Sequence, residues 1–229
     1  MTSSGIGTLR ETHLHASLKR WLAEPGDEFE VPVGRFVADI VRDGTLIEIQ
    51  TRGFASMRAK LDALLDEPPV VIVHPIAQRK WIVKGPHDGS PSSRRKSPKA
   101  GSVYDVFNEL VSFPSLVDHP NLSIEVLLTD EEEVRRFDGN GSWRRRGWAV
   151  VERRLLDVTG RLELTTPADW LSLLPTDLPV PFTTAELASA IGRPRRTAQQ
   201  MAYCLREMGA LDVVGKQGNA FEYRACAQV

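Results

Sequence analysis

Val37-Ala38-Asp39-Ile40-Val41-Arg42-Asp43-Gly44-Thr45-Leu46-Ile47-Glu48-Ile49-Gln50 is the stretch on which the reading of the fold turns. Asp-Gly between two runs rich in β-branched residues signals a two-residue hairpin loop, because both central positions of such a turn need positive φ. Counting back from Asp43-Gly44 pairs Arg42 with Thr45, Val41 with Leu46 and Ile40 with Ile47, and sets Asp39 opposite Glu48. Directly opposed side chains have Cβ atoms about 4.5–5.5 Å apart. Val37, Val41 and Leu46 share the face of the two acids, while Ala38, Ile40, Ile47 and Ile49 fill the other. A hairpin apolar on both faces belongs inside a sheet, where facing carboxylates repel unless something intervenes. A hard divalent cation is one remedy; a shared proton, with one pKa raised, is the other. A slip of one residue would carry Glu48 to the opposite face.

Outward from the hairpin, Leu9 to Glu24 reads as a helix that ends before Pro25-Gly26, with Glu11 on the face of Leu14, Leu18 and Trp21. Phe54 to Leu65 has helical spacing along Phe54, Met57, Leu61, Leu64 and Leu65, with Arg58 and Lys60 flanking that stripe. Pro68-Pro69 ends it, and Val70 to Val73 is a short apolar strand. Helix, hairpin, helix, strand describes an α/β domain with a mixed sheet. Gly85 to Gly101 reads as a flexible basic loop, Val103 to Val117 as helix broken near Pro114, and Leu122 to Thr129 and Trp148 to Leu164 as strands. The Pro-rich joint Pro175 to Pro181 precedes the last elements. The expected organisation is an α/β domain over residues 1–164, with its core at about 8–128, and a smaller domain over 165–229.

Asp39, then Glu48-Ile49-Gln50 on the next strand, after a helix carrying Glu11, resembles the PD-(D/E)XK nuclease core. In that restriction-endonuclease-like superfamily an acid on one strand and an acid-x-lysine on the next hold Mg²⁺, which activates water for in-line attack on a phosphodiester. A glutamate of the first helix often assists. The resemblance covers roughly Thr8 to Val83 and extends toward Leu128. It implies that Asp39 and Glu48 hold Mg²⁺ or Mn²⁺ with Glu11 in support. Gln50 stands where the superfamily usually has lysine. Some branches carry acid-x-Gln and take the basic residue from the following helix, where Lys60 is preferred here over Arg58. Gln50 would then position water or phosphate, and Lys60 would act as the displaced base or electrostatic stabiliser.

Near the C-terminus, Thr183 and Glu186 have the spacing of a capping box at the start of a helix that ends at Ile191-Gly192. A second helix opens at Arg193-Pro194, buries Ala198, Met201, Ala202, Leu205 and Met208 at helical spacing, and stops at Gly209. Leu211 to Lys216 and Ala220 to Arg224 read as strands around Gln217-Gly218-Asn219. This order resembles a winged helix-turn-helix. Such modules bring the first turns of the second helix to the major groove, so the resemblance implies DNA contacts by Arg193, Arg195, Arg196, Thr197, Gln199 and Gln200. Lys216, at the wing, would reach the backbone. Winged helices also serve as protein-protein modules, and that alternative stays open.

The 229 residues are 41% hydrophobic and 26% charged, with a formal net charge of −1. The sum conceals local basic runs: Lys80, Lys84, Arg94, Arg95 and Lys96 lie between Arg79 and Lys99 against Asp88 alone, and Arg144 to Arg146 follow Trp143. Such patches can neutralise phosphates on a near-neutral protein. Two cysteines, no secretory leader and no spanning apolar run place the chain in the cytoplasm, away from membranes. No phosphate-binding Gly-rich loop, nucleophile elbow or dinucleotide fingerprint is present. The five histidines have no zinc spacing and read as structural or surface residues. A metal-dependent DNA endonuclease is the leading expectation. The alternatives are a non-catalytic DNA-binding regulator on a degenerate nuclease fold and an accessory subunit of a larger complex. A homodimer is compatible with each.

Overall fold

The computed structural model describes residues 12–66, 68–87, 89–139 and 146–226. Glu11, Trp143, Arg144 and Arg145 lie outside the described residues. The protein is a mixed α/β structure. In chain order its elements are α1 (His13–Leu22), β1 (Glu28–Val33), β2 (Phe36–Arg42), β3 (Thr45–Ile49), α2 (Arg58–Leu64), β4 (Val70–Lys84), β5 (Ser93–Lys96), α3 (Phe107–Leu110), β6 (Leu122–Phe137), β7 (Trp148–Leu164), α4 (Pro167–Leu171), β8 (Phe182–Thr183), α5 (Thr184–Ala190), α6 (Arg195–Glu207), β9 (Leu211–Gln217) and β10 (Ala220–Ala225). Single 3-10 turns cover Phe54–Met57, Val103–Val106 and Pro114–Leu116.

Among the described residues, β1 to β7 make one sheet in the order β1-β2-β3-β4-β6-β7, with β5 added beside β4. β1 to β3 are antiparallel neighbours, whereas β3 and β4 run parallel. That change of direction requires a crossover, which the turn at Phe54–Met57 and α2 supply. Asp43 (φ 47°) and Gly44 (φ 80°) both adopt the left-handed conformation that a two-residue hairpin loop demands. The register is the one counted from that turn: Arg42↔Thr45, Val41↔Leu46, Ile40↔Ile47.

Several strands outrun their apolar segments. β4 continues from the buried Val70 region through Pro75 to Lys84, and β6 from Leu122 to Phe137. Charged residues interrupt their distal halves, several of them buried, as at Asp130, Glu131 and Glu133, so hydrophobicity marks only the first part of each. The expected loop at Gly85 to Gly101 contains β5, whose Ser93–Lys96 pairs with Trp81–Lys84. Its residues are all exposed, and its pairing partner rather than its composition makes it a strand.

The chain divides into two compact units. The first takes in the described residues of Met1–Asp27, Pro75–Ser102 and Leu127–Arg161; the second those of Glu28–His74, Val103–Val126 and Leu162–Val229. In the first, Thr12 caps α1 by accepting the His15 N–H, and Leu14, Leu18 and Leu22 form its buried stripe. In the second, α6 packs against α5, α4 and the segment around α3. Trp170 is fully buried with its ring 5.5 Å from that of Phe107, and Phe54 stacks on Phe113 at 5.5 Å. Ala198, Met201, Ala202 and Leu205 are the buried face of α6. β8, β9 and β10 form a three-stranded sheet in the order β8-β10-β9. No helix among the described residues is long and apolar enough to cross a membrane.

α5 begins with a reciprocal capping box. Thr183 accepts the Glu186 N–H through its hydroxyl, and Glu186 accepts from the Thr183 N–H at 2.7 Å. Replacing an N-cap threonine by alanine costs about 1 kcal/mol. Thr183→Ala is therefore expected to lower the urea-unfolding free energy by about that amount, and Thr183→Ser to restore most of it.

Candidate functional site

The hairpin does not continue as a regular ladder past Ile40↔Ile47. In a regular antiparallel pair the Ile49 N–H would donate to the Ala38 carbonyl; instead it donates to Asp39 Oδ2 at 2.8 Å. Ala38 pairs with Val31 on the other side. The Asp39 carboxylate thus fills a ladder position at the mouth of the hairpin. On β3 the Glu48 side chain lies on the same face by alternation and is buried. β3 remains bound to β4 through this stretch, with Gln50 N–H donating to the Val73 carbonyl at 2.9 Å.

Lys60 comes from α2 to this place. Its ammonium lies 2.5 Å from Glu48 Oε1 and donates to the Val37 carbonyl at 2.6 Å. The two side chains are only 12% and 7% exposed. A buried carboxylate is costly without a countercharge, and Lys60 supplies it. Removing one partner of a buried pair costs about 3–5 kcal/mol, while an apolar replacement of both is much milder. Arg58 is turned elsewhere, in an i,i+4 pair with Asp62.

Gln50 is tied into the turn that starts the crossover. Its Nε2 lies 2.7 Å from the Arg52 carbonyl, 3.1 Å from that of Gly53 and 3.1 Å from Ser56 Oγ. The amide nitrogen is therefore committed to the turn, which leaves Oε1 as the group with which Gln50 could meet a water. Two residues with no role in this site legible from the sequence complete the turn. Glu109 Oε2 accepts the N–H groups of Gly53 and Phe54 at 2.9 and 3.2 Å. His74 Nδ1 lies 2.7 Å from the Gln50 carbonyl, and its ring stands edge-on to Phe54. A carbonyl can only accept, so Nδ1 carries the proton. Neither residue sits in a motif, because both act across more than twenty positions of sequence.

Among the described residues no group of three or more His, Cys, Asp or Glu side chains gathers around one point. The carboxylates at the hairpin mouth are Asp39 and Glu48. Both are hard oxygen donors, and Mg²⁺ is commonly held by one or two protein carboxylates with water and substrate phosphates completing its shell. Two carboxylates are the donor type such an ion takes, and the charge of Glu48 is here already met by the Lys60 ammonium.

The residues expected to contact DNA divide into two groups. Arg195, Arg196, Gln199 and Lys216 are exposed. Arg193 instead pairs with Asp105 at 3.0 Å, Thr197 is buried at 6% exposure, and Gln200 Oε1 is buried. Arg193 ties the start of α6 to Asp105, Thr197 and the Gln200 Oε1 are turned inward, and the exposed four lie on accessible polar surface.

Burial pushes the His74 pKa below its usual 6.5, against the opposing pull of the Gln50 carbonyl and of Glu109 and Asp105. Between the folded pKa and 6.5 the unfolded chain binds the proton more readily, so this histidine contributes stability that is lost as pH falls through that window. The urea midpoint is expected to fall from pH 7.5 to pH 5.5, and His74→Asn to show a shallower fall. Equal slopes for the two proteins would remove His74 from the account.

The family model described as "Domain of unknown function (DUF8091)" matches residues 12–165. That range takes in Asp39, Glu48, Gln50 and Lys60 and ends before α5. A protein of Treponema pallidum (strain Nichols), described as an uncharacterized protein, is 33% identical over 221 residues, which cover 96% of this chain and 87% of that protein. No solved structure matches. With two thirds of its length under the family model, the chain belongs to the DUF8091 family.

Proposed function

We propose that this protein is a metal-dependent, PD-(D/E)XK-like DNA endonuclease, with a restriction-endonuclease-like core directed by a C-terminal winged helix and acting in the cytoplasm. The observation that carries the reading is the delivery of Lys60, from the helix after the acid-x-Gln strand, to within 2.5 Å of Glu48. A lysine absent from the strand but brought to its acid from α2 is the arrangement expected where Gln50 has replaced the strand lysine.

Asp39 and Glu48 would hold Mg²⁺ or Mn²⁺, with Glu11 in support. The ion when bound supplies an acidified water and neutralises phosphate charge. Lys60, already hydrogen-bonded to the Val37 carbonyl and ion-paired with Glu48, keeps its ammonium beside that acid and would offer positive charge to a phosphate oxygen. Gln50, anchored through its amide nitrogen, presents Oε1 to orient a water. Asp39 is held in place by the Ile49 N–H, which limits the rearrangement needed on substrate binding. Arg195, Arg196, Gln199 and Lys216 would contact the duplex, with Arg193, Thr197 and Gln200 setting the pose of α6.

The commitment of the Gln50 amide nitrogen to the turn favours a second reading, a non-catalytic DNA-binding regulator on the same scaffold. Cleavage of plasmid and single-stranded DNA with Mg²⁺ or Mn²⁺ separates the two. The nuclease reading expects wild-type cleavage that drops about a hundredfold or more in Asp39→Ala and Lys60→Met, with circular dichroism reporting that the variants fold. Absent cleavage, together with salt-sensitive duplex binding whose slope flattens in Arg195→Ala/Arg196→Ala, would establish the regulator instead.

A further inference from the structure

The distal part of the first unit carries an aromatic cluster away from the α1 stripe. The His87 and Phe137 rings stack with centroids 3.7 Å apart and planes at 21°. Trp148 stands edge-on to both, at 5.6 and 5.8 Å. The turn that holds His87 is closed by reciprocal hydrogen bonds between His87 and Ser90, and an open cleft lined by Pro86, His87, Gly89, Ser90 and Pro91 lies there. Phe137 remains 38% exposed. Gly147 sits at φ +79°, and a Cβ there would lie 2.7 Å from Phe137 Cε2, so the chain reverses tightly against that ring. The rings are held firmly in place, yet one of them faces solvent.

One cation lies over a ring of this cluster and another over Trp81 on β4. Lys84 Nζ lies 4.4 Å from the centre of the Trp148 ring, and the Arg94 guanidinium 4.9 Å from that of Trp81. On β5, Arg94 and Lys96 point to one side of the ribbon and Arg95 to the other, and all three are exposed. Arg94 is balanced by Glu132 at 2.8 Å. Arg95 and Lys96 have no ion-pair partner among the described residues. A β-strand with two unbalanced basic residues, in the same unit as an aromatic cluster with one exposed ring, is poorly explained by stability alone, because like charges on one short strand repel.

We propose that this ribbon, built from Trp81–Lys84, β5, His87, Phe137 and Trp148, is a binding surface for single-stranded nucleic acid. Unpaired bases expose π-faces that stack on aromatic rings whatever their sequence, and basic side chains alongside follow the phosphates. A duplex hides those faces, so it would meet only the cations. The surface shares no residue with Asp39, Glu48 or α6 and needs neither cleavage nor duplex recognition. A chain with both surfaces would hold a strand on this ribbon independently of what α6 binds.

The test is fluorescence anisotropy of a labelled oligothymidylate about twenty nucleotides long, bound by the full chain in EDTA across a salt series. Arg95→Glu/Lys96→Glu reverses two exposed charges that hold no ion pair among the described residues. It is expected to weaken binding about tenfold or more at low salt and to lower the salt slope by roughly 0.7 for each phosphate that is no longer neutralised. Phe137→Leu keeps the apolar bulk and is expected to weaken binding about tenfold with the slope unchanged. Arg195→Ala/Arg196→Ala, measured in parallel, should weaken oligothymidylate binding less than Arg95→Glu/Lys96→Glu does. Wild-type affinity in Arg95→Glu/Lys96→Glu would overturn the proposal, as would single-strand binding abolished only in the α6 variant. Neither result would bear on cleavage at Asp39 and Glu48.

Discussion

A carboxylate inside an apolar sheet must find a countercharge, and much of the second unit is arranged around that need at Glu48. Lys60 reaches it only because the crossover from β3 to β4 is short and begins with a tight turn. Gln50 supports that turn from within, Glu109 caps its first N–H groups, and His74 holds the Gln50 carbonyl from β4. Phe54, the first residue of the 3-10 turn, is locked between the His74 and Phe113 rings. The ion pair, the turn and this small aromatic core therefore depend on one another. Loosening any of them would leave Glu48 buried without its cation, which is the most expensive defect available here.

The first unit handles charge differently. The acidic run Asp130 to Glu133 lies on a strand, and three of its four residues are buried. Their charges are met across the ribbon or along it: Arg79 binds Asp130, Arg94 binds Glu132 and Arg135 binds Glu133. Lys80 lies among them with its pKa pushed down by burial and by Arg153, against the pull of Glu131 and Glu133. Such a network orders a long ribbon that has little apolar surface of its own. The charges of Arg95 and Lys96 on β5 and the exposed ring of Phe137 stand out against this background, where neighbouring charges are matched in pairs.

At the C-terminal end, α6 shows how a helix can serve packing and display at once. Its buried face meets α4, α5 and the segment around α3, and Arg193 is drawn to Asp105 in the same direction. What remains outward is narrow, and it is basic at the first turn.

Periodicity and turn chemistry made the hairpin legible from the chain alone. Asp43-Gly44 admits one loop geometry, and a two-residue loop leaves one register, so the Ile40↔Ile47 pairing followed without any tertiary information. The capping box at Thr183 and Glu186 and the buried face of α6 were legible for the same reason, because both are local. Lys60 could be named as a helix residue flanking an apolar stripe, but its approach to Glu48 depends on how the crossover packs. The departure of β2 from β3 at Asp39, the ties on Gln50 and the roles of His74 and Glu109 are side-chain to backbone bonds with no periodicity to betray them. β5 and the distal halves of β4 and β6 are strands because neighbouring backbone satisfies their N–H and C=O groups. That pairing is a property of tertiary structure, which composition does not record.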